Sequence, residues 1–178
     1  MPHLRRPLAR EYAAILSAEI ALVPDVADFA AMLRDNADVT RALAAGFGEA
    51  QAALRYAPGK WSVRETIGHL SDCERVLSYR LLRALRGDAT LLPGFDHNAW
   101  VPAAQFERRT LADVVREFSA VRNATVALLD SAAAETFEFR LNVGTGHITG
   151  VALAYLIAGH ELHHQGILRE RYREPLSG

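Results

Sequence analysis

Cysteine is almost missing from this chain. Cys73 is the only one, so no internal disulfide can form, and a reducing compartment such as the cytoplasm of a bacterial-type cell is expected. Lysine is equally scarce: Lys60 is the one lysine among twenty cationic side chains. With so much alanine alongside, the arginine bias reads as genome composition. There is no basic excess. The formal net charge is −1, which leaves nothing to hold a phosphate backbone and argues against nucleic acid as a partner. No apolar run reaches the roughly 18 residues of a membrane span. The basic opening MPHLRRPLAREY is followed by neither an apolar stretch nor a small-residue cleavage site, so neither a membrane anchor nor a signal peptide is expected. Internal repeats and low-complexity tracts are lacking too.

What is present is helical periodicity. The 178 residues are half apolar, enough for one domain over 1–178 with a sizeable core. An amphipathic opener spans Ala9 to Leu22, stopped near Pro24. Asp25 is placed to cap a helix running to Ala45 before Gly46. After the Pro58-Gly59 turn, Ser62 and Glu65 form a capping box, with Trp61 just ahead of it. The helix they open runs to Arg86 and stops at Gly87. Residues 87–109 lack a clear period, apart from a helical turn near Asn98 to Gln105. Thr110 and Asp113 cap a helix from Leu111 to Leu129, Phe137 to Leu141 alternates briefly, and Thr149 starts a last helix reaching Tyr172, with Pro175 and Gly178 closing the chain. Four long helices, each with one apolar stripe, make an all-α four-helix bundle with a short extra N-terminal helix. The long middle connection implies a crossover and an up-down-down-up order.

The last helix contains His160-Glu161-Leu162-His163-His164. H-E-x-x-H on a helix is the zinc-protease pattern, two ligands one turn apart with a glutamate base. The setting does not fit. Only Glu170 and Glu174 follow as carboxylates, and a peptide-aligning sheet is not evident. Glu161 stands about 100° around the helix from His160 and reads as a solvated or second-shell carboxylate. His160 and His164 instead continue the inward stripe Leu153, Leu156, Ile157, Ile167, Leu168, and His69 does the same beside Thr66, Leu70, Cys73 and Val76. A single histidine on such a stripe is usually a hydrogen-bonded core residue. Three of them would cost about 1–3 kcal/mol each if left unpaired, and one metal ion satisfies all three. Three protein ligands with an open position is the arrangement of a catalytic metal.

The segments IALVPD, YAPGKWSVRETIGHLSDCERVLSYR, LPGFDHNAWV and LAYLIAGHELHHQGILRERY resemble the DinB/YfiT-like metal-binding superfamily, from about Ile20 to Tyr172. The resemblance implies the same up-down-down-up bundle. It also implies a metal triad of His69 from the GHL motif with His160 and His164 from HELHH, and His163 as the alternative if the helix is rotated. It further implies nickel or zinc, a homodimer, and a small-molecule activity that is either hydrolysis or transfer involving a low-molecular-weight thiol. The other reading is a non-catalytic stress-response bundle with a structural ion; a vestigial site in a dimer module is a third. Cys73, one turn after His69, is either a small buried apolar residue or a thiolate that closes the site as a fourth ligand. Tyr79 and Arg80 read first as core packing or a surface pair, with the border of a pocket as the alternative; Asp96, His97 and Trp100 lie in the crossover, placed to cover the mouth of the bundle, with His97 read as a surface residue before a second-shell one; and His147 falls in a Gly-rich turn near the last helix, exposed or as a local cap.

Overall fold

The structure is a computed structural model that describes residues 4–144 and 146–173. Glu174, Pro175 and Gly178 lie outside the described residues. Two 3-10 turns, Ala9–Glu11 and Ala14–Leu16, lead into α1 (Ser17–Ala21), so the expected N-terminal helix is realised as short pieces. Then follow α2 (Phe29–Ala45), α3 (Glu49–Ala52), α4 (Val63–Leu85), α5 (His97–Ala104) and α6 (Leu111–Asp130). A hairpin of β1 (Arg140–Val143) and β2 (Gly146–Thr149) precedes α7 (Gly150–Ile167), which widens into a π-type turn over Leu168–Arg173. The alternation seen from Phe137 to Leu141 thus belongs in part to a real antiparallel pair, with Leu141 opposite Ile148 and buried. Among the described residues no helix is long and apolar enough to cross a membrane.

The helix starts follow local chemistry. The Ser62 hydroxyl accepts from the Glu65 amide at 3.2 Å while the Glu65 carboxylate accepts from the Ser62 amide at 2.7 Å, the reciprocal capping box of α4. Thr110 and Thr149 cap α6 and α7 with a single bond each, their hydroxyls accepting from the Asp113 and Ala152 amides. One expectation is corrected: α2 is capped by Asp28, which accepts from the Ala31 amide at 2.9 Å. Asp25 lies on the surface and pairs with Arg6, because the chain stays extended past Pro24 and turns helical only after Asp28.

The four long helices are α2, α4, α6 and α7, and their directions are fixed by two apolar clusters. One contains Phe29 and Leu33 of α2, Leu77 and Leu81 of α4, Val126 and Leu129 of α6, and Val151 to Ala158 of α7. The other contains Ala37 and Ala44, Val63 to Leu70, Leu111 to Phe118, and Leu168. Hence α2 and α7 run from the first cluster to the second and α4 and α6 run back, the up-down-down-up order. The crossover that this order requires is the long segment carrying α5.

Between the clusters lies a buried polar layer. Arg122 of α6 makes a two-pronged pair with Glu74 of α4, both bonds 2.8 Å. It also donates to Glu161 of α7 at 2.5 Å and to the Leu33 carbonyl of α2 at 2.9 Å. Thr40 donates to Glu161 at 2.6 Å, and Gln165 donates to Thr40 and to the Asn36 carbonyl. One guanidinium therefore ties all four helices at mid-height.

α7 departs from the one-sided stripe expected of it. Every residue from Gly150 to Gly159 is buried, because α1 packs across the face that the bundle leaves open. The approach is close: a Cβ at Gly159 would stand 2.2 Å from the Glu19 carbonyl oxygen. Only glycine permits that crossing.

Removing the guanidinium strands two carboxylates in the core, so Arg122→Ala is expected to lower the unfolding free energy by about 3–5 kcal/mol. Replacing Glu74, Arg122 and Glu161 together by apolar residues of similar volume should recover most of that loss. Urea unfolding of the two variants checks both; a single variant as stable as the parent contradicts the role given to Arg122.

Candidate metal centre

α4 and α7 run antiparallel, and where they meet, three imidazoles converge. His69 projects from the first half of α4, and His160 and His164 stand one turn apart on α7. Each offers a ring nitrogen, and the three lie within 4.8 Å of one another. Nε2 of His69 and Nε2 of His160 are 3.1 Å apart. The ring centroids are 4.7–5.0 Å apart and the rings nearly perpendicular.

The donor set fits a divalent transition ion. Nδ1 of His164 is buried and has no hydrogen-bond partner among the described residues. Two facing Nε2 atoms can share only one proton between them. A cation answers both deficits, and neutral imidazole is a good ligand for first-row divalent ions. Burial keeps the rings neutral. It is the first cause pushing His69 from near 6.5 down to about 4 and His160 down to about 3, and it holds His164 well below its ordinary value. The neighbouring histidines act in the same direction.

Trp61 braces the cluster. Its ring lies 4.5 Å from His69 and nearly parallel to His164 at 6.3 Å, and its carbonyl accepts a hydrogen bond from the Tyr172 hydroxyl. The residue that begins the α4 capping motif thus also packs on the imidazoles. His97, at the start of α5, is exposed yet 5.4 Å from His69 ring to ring, so it is both a surface residue and a neighbour of the cluster. His163 is exposed, 5.1 Å from the His164 ring, and not one of the converging three.

Glu161 is neither solvated nor aimed at the cluster. It is 1% exposed and held by Arg122 and Thr40, which turns it toward the bundle axis and away from any role as a protease base. Cys73 is buried, with Sγ 3.5 Å from Nδ1 and 3.7 Å from Nε2 of His69. Burial pushes its thiol up to about 12, and it does not belong to the converging set. Its sulfur faces the His69 ring from the cavity wall.

The cluster forms part of the wall of a cavity of about 700 Å³. Arg80, His97 and His147 reach it; Tyr79 does not, and bonds to Arg83 instead. His147 donates to the Arg10 carbonyl at 3.0 Å. Asp96 caps α5 and Trp100 packs on Phe95. Glu19 of α1 is the one carboxylate lining the cavity among the described residues. It is partly buried, its pKa is raised by burial, and His163 and His97 are the charges that act on it. Sequence reasoning missed Glu19, because its place depends on the crossing at Gly159. It also missed Arg122 and Glu74, although their spacing on the stripes Phe118, Arg122, Val126 and Leu70, Glu74, Leu77 was a readable sign of buried charge.

The depressed histidines make the metal-free protein acid-sensitive in a defined window. In the unfolded chain they bind protons near pH 6.5, whereas His69 and His160 do so only near 4 and 3 when folded. Stability is therefore full above pH 6.5 and is lost as pH falls below it, at up to about 1.4 kcal/mol per pH unit for each fully buried ring. Urea unfolding between pH 7.5 and 4.5 should show a shallower decline in His69→Asn than in the parent. Equal slopes contradict the assignment.

The sequence pattern of the DinB superfamily matches residues 32–168. A protein of Geobacillus thermodenitrificans described as "Putative metal-dependent hydrolase" is 29% identical over 80 residues, 45% of this chain and 45% of that protein. The match thus spans less than half the length of that relative. Among solved structures, YfiT from Bacillus subtilis, described as a probable metal-dependent hydrolase with an unusual four-helix bundle topology, superposes with a TM-score of 0.74 at 17% identity, over 96% of this chain and 93% of that one. A DinB-like protein from the same organism superposes with a TM-score of 0.61 at 20% identity, over 83% and 90%. At those identities the two structures speak for the fold. With its bundle, its histidine cluster and a match covering most of its length, the chain belongs to the DinB superfamily.

Proposed function

We propose that this protein is a metal-dependent hydrolase of a small molecule, with His69, His160 and His164 as ligands of a zinc or nickel ion. The observation that carries the reading is three neutral imidazoles converging on the wall of a half-open cavity, without a fourth protein ligand in the converging set among the described residues. A divalent ion so bound polarises a substrate oxygen and acidifies water toward neutral pH. The names borne by the relatives point the same way.

The chain's own groups have definable tasks. His160 and His164 are presented together because they share one face of α7. Burial keeps each ring uncharged at neutral pH, so one nitrogen of each is unprotonated and able to ligate. Leu77, Leu153 and Leu156 make part of the cavity wall apolar, which limits water and strengthens electrostatic interactions inside. Glu19 stands in the cavity as a carboxylate of raised proton affinity, suited to accept a proton at its Oε atoms from water or substrate. Transfer involving a thiol would need a thiol brought in as co-substrate, since burial of Cys73, the chain's one cysteine, favours its protonated form. Hydrolysis needs only water.

Stripped protein dialysed against zinc or nickel should take up one ion per chain, measured by elemental analysis. Activity on a panel of esters, amides and lactones should appear with the ion and vanish on chelation. His69→Ala should weaken binding by more than the about 10–100-fold typical of losing an outer-shell partner. Full occupancy in His69→Ala, or hydrolysis indifferent to chelator, contradicts the proposal.

A further inference from the structure

Among the described residues Arg80 is the one arginine lining the cavity; Lys60, beside Trp61, is the lysine that lines it. Arg80 lies three turns after His69 on α4, about 16 Å along the axis. His69, Cys73, Leu77 and Arg80 keep the spacing that puts them on one helix face, and all four line the cavity. Leu153 and Leu156 of α7 line it too. The cavity therefore has an imidazole end and a guanidinium end with apolar wall between.

The guanidinium is held but not neutralised. Its Nη2 donates to the Pro93 carbonyl at 2.9 Å, and its Cζ lies 5.1 Å from the centroid of the Phe95 ring. Guanidinium has five N–H donors, and this is the only hydrogen bond described for it. No carboxylate pairs with it among the described residues, whereas Arg75, Arg83 and Arg122 are each paired. Glu19, the one carboxylate in the cavity among those residues, makes no ion pair with it. Partial burial without a counter-charge lowers the pKa of Arg80. A guanidinium kept in place by a backbone carbonyl and an aromatic face, with its fork unfilled, is a receptor for an oxyanion.

We propose that Arg80 anchors an anionic end of the substrate. The cavity then selects an elongated small molecule with its hydrolysable group at the histidines, an apolar middle over Leu77, Leu153 and Leu156, and a terminal carboxylate or phosphate at Arg80. The span between the two ends is on the order of 10–15 Å, since the helix rise sets the spacing and side chains lean toward the helix N-terminus. This rests on the histidine cluster being the reacting end.

Isothermal titration separates the two readings. With metal-free protein, hexanoate and butyl phosphate are titrated against 1-hexanol as the uncharged control. The parent should bind at least one of the two anions about tenfold more tightly than hexanol, as a charge-assisted pair implies, and the stronger of them names the oxyanion. Arg80→Gln should abolish the difference and Arg80→Lys should keep part of it. In zinc-loaded protein, suberate should outbind hexanoate about tenfold in the parent and not in Arg80→Gln. Matching thermal melts of parent and variants establish that each variant is folded. Binding of neither anion to the metal-free parent, or equal anion binding by parent and Arg80→Gln, overturns the proposal. If instead zinc is not taken up while the Arg80 effect persists in metal-free protein, it is the hydrolase reading that fails.

Discussion

A single guanidinium at the centre of the bundle sets the geometry on which everything else rests. Arg122 reaches a carboxylate on each of two other helices and a backbone carbonyl on the third. Charges taken from water must be paired with good geometry or they destabilise the fold, so the four helices can meet in few relative rotations. The constraint matters most for α7. Glu161 follows His160 directly, and neighbouring helical residues point about 100° apart. Holding Glu161 toward the axis therefore fixes the direction of His160, and of His164 one turn later.

This explains why five letters shared with zinc proteases mean something different here. In the protease pattern the glutamate faces the ion and works on water. In this chain it faces the bundle axis and works on the fold. The histidines keep a ligand's geometry while the glutamate has exchanged chemistry for architecture. The same burial that supplies the polar layer also leaves the imidazoles neutral, so the core and the site depend on one desolvated environment.

Much of this was legible in the sequence, where local rules govern. The capping box of α4 and the threonine caps of α6 and α7 placed those helix starts almost to the residue, and the stripe spacing put three histidines on inward faces. What could not be read depends on tertiary placement. Asp25 and Asp28 are both acceptable caps, and only the path of the chain past Pro24 selects Asp28. The solvated reading of Glu161 failed because polar residues at a stripe's edge are ordinarily exposed, and the partner that makes burial tolerable lies on another helix. The hairpin of β1 and β2 was visible only as a brief alternation, too short to distinguish from a turn.

The close approach at Gly159 has a wider meaning. The bundle alone carries the three histidines, while part of the cavity that surrounds them is made by pieces laid on its outside: α1 with Glu19, and the crossover with Phe95 and His97. The inner wall, with Leu77, Arg80, Leu153 and Leu156, belongs to the same two rods as the imidazoles, while the outer wall comes from other parts of the chain. The hydrogen bonds described for the mid-height polar layer all join α2, α4, α6 and α7, so cavity-facing side chains of the outer pieces can change without breaking them. A scaffold arranged in this way can keep its imidazoles and inner wall while the outline of the cavity's outer side is reshaped through α1 and the crossover.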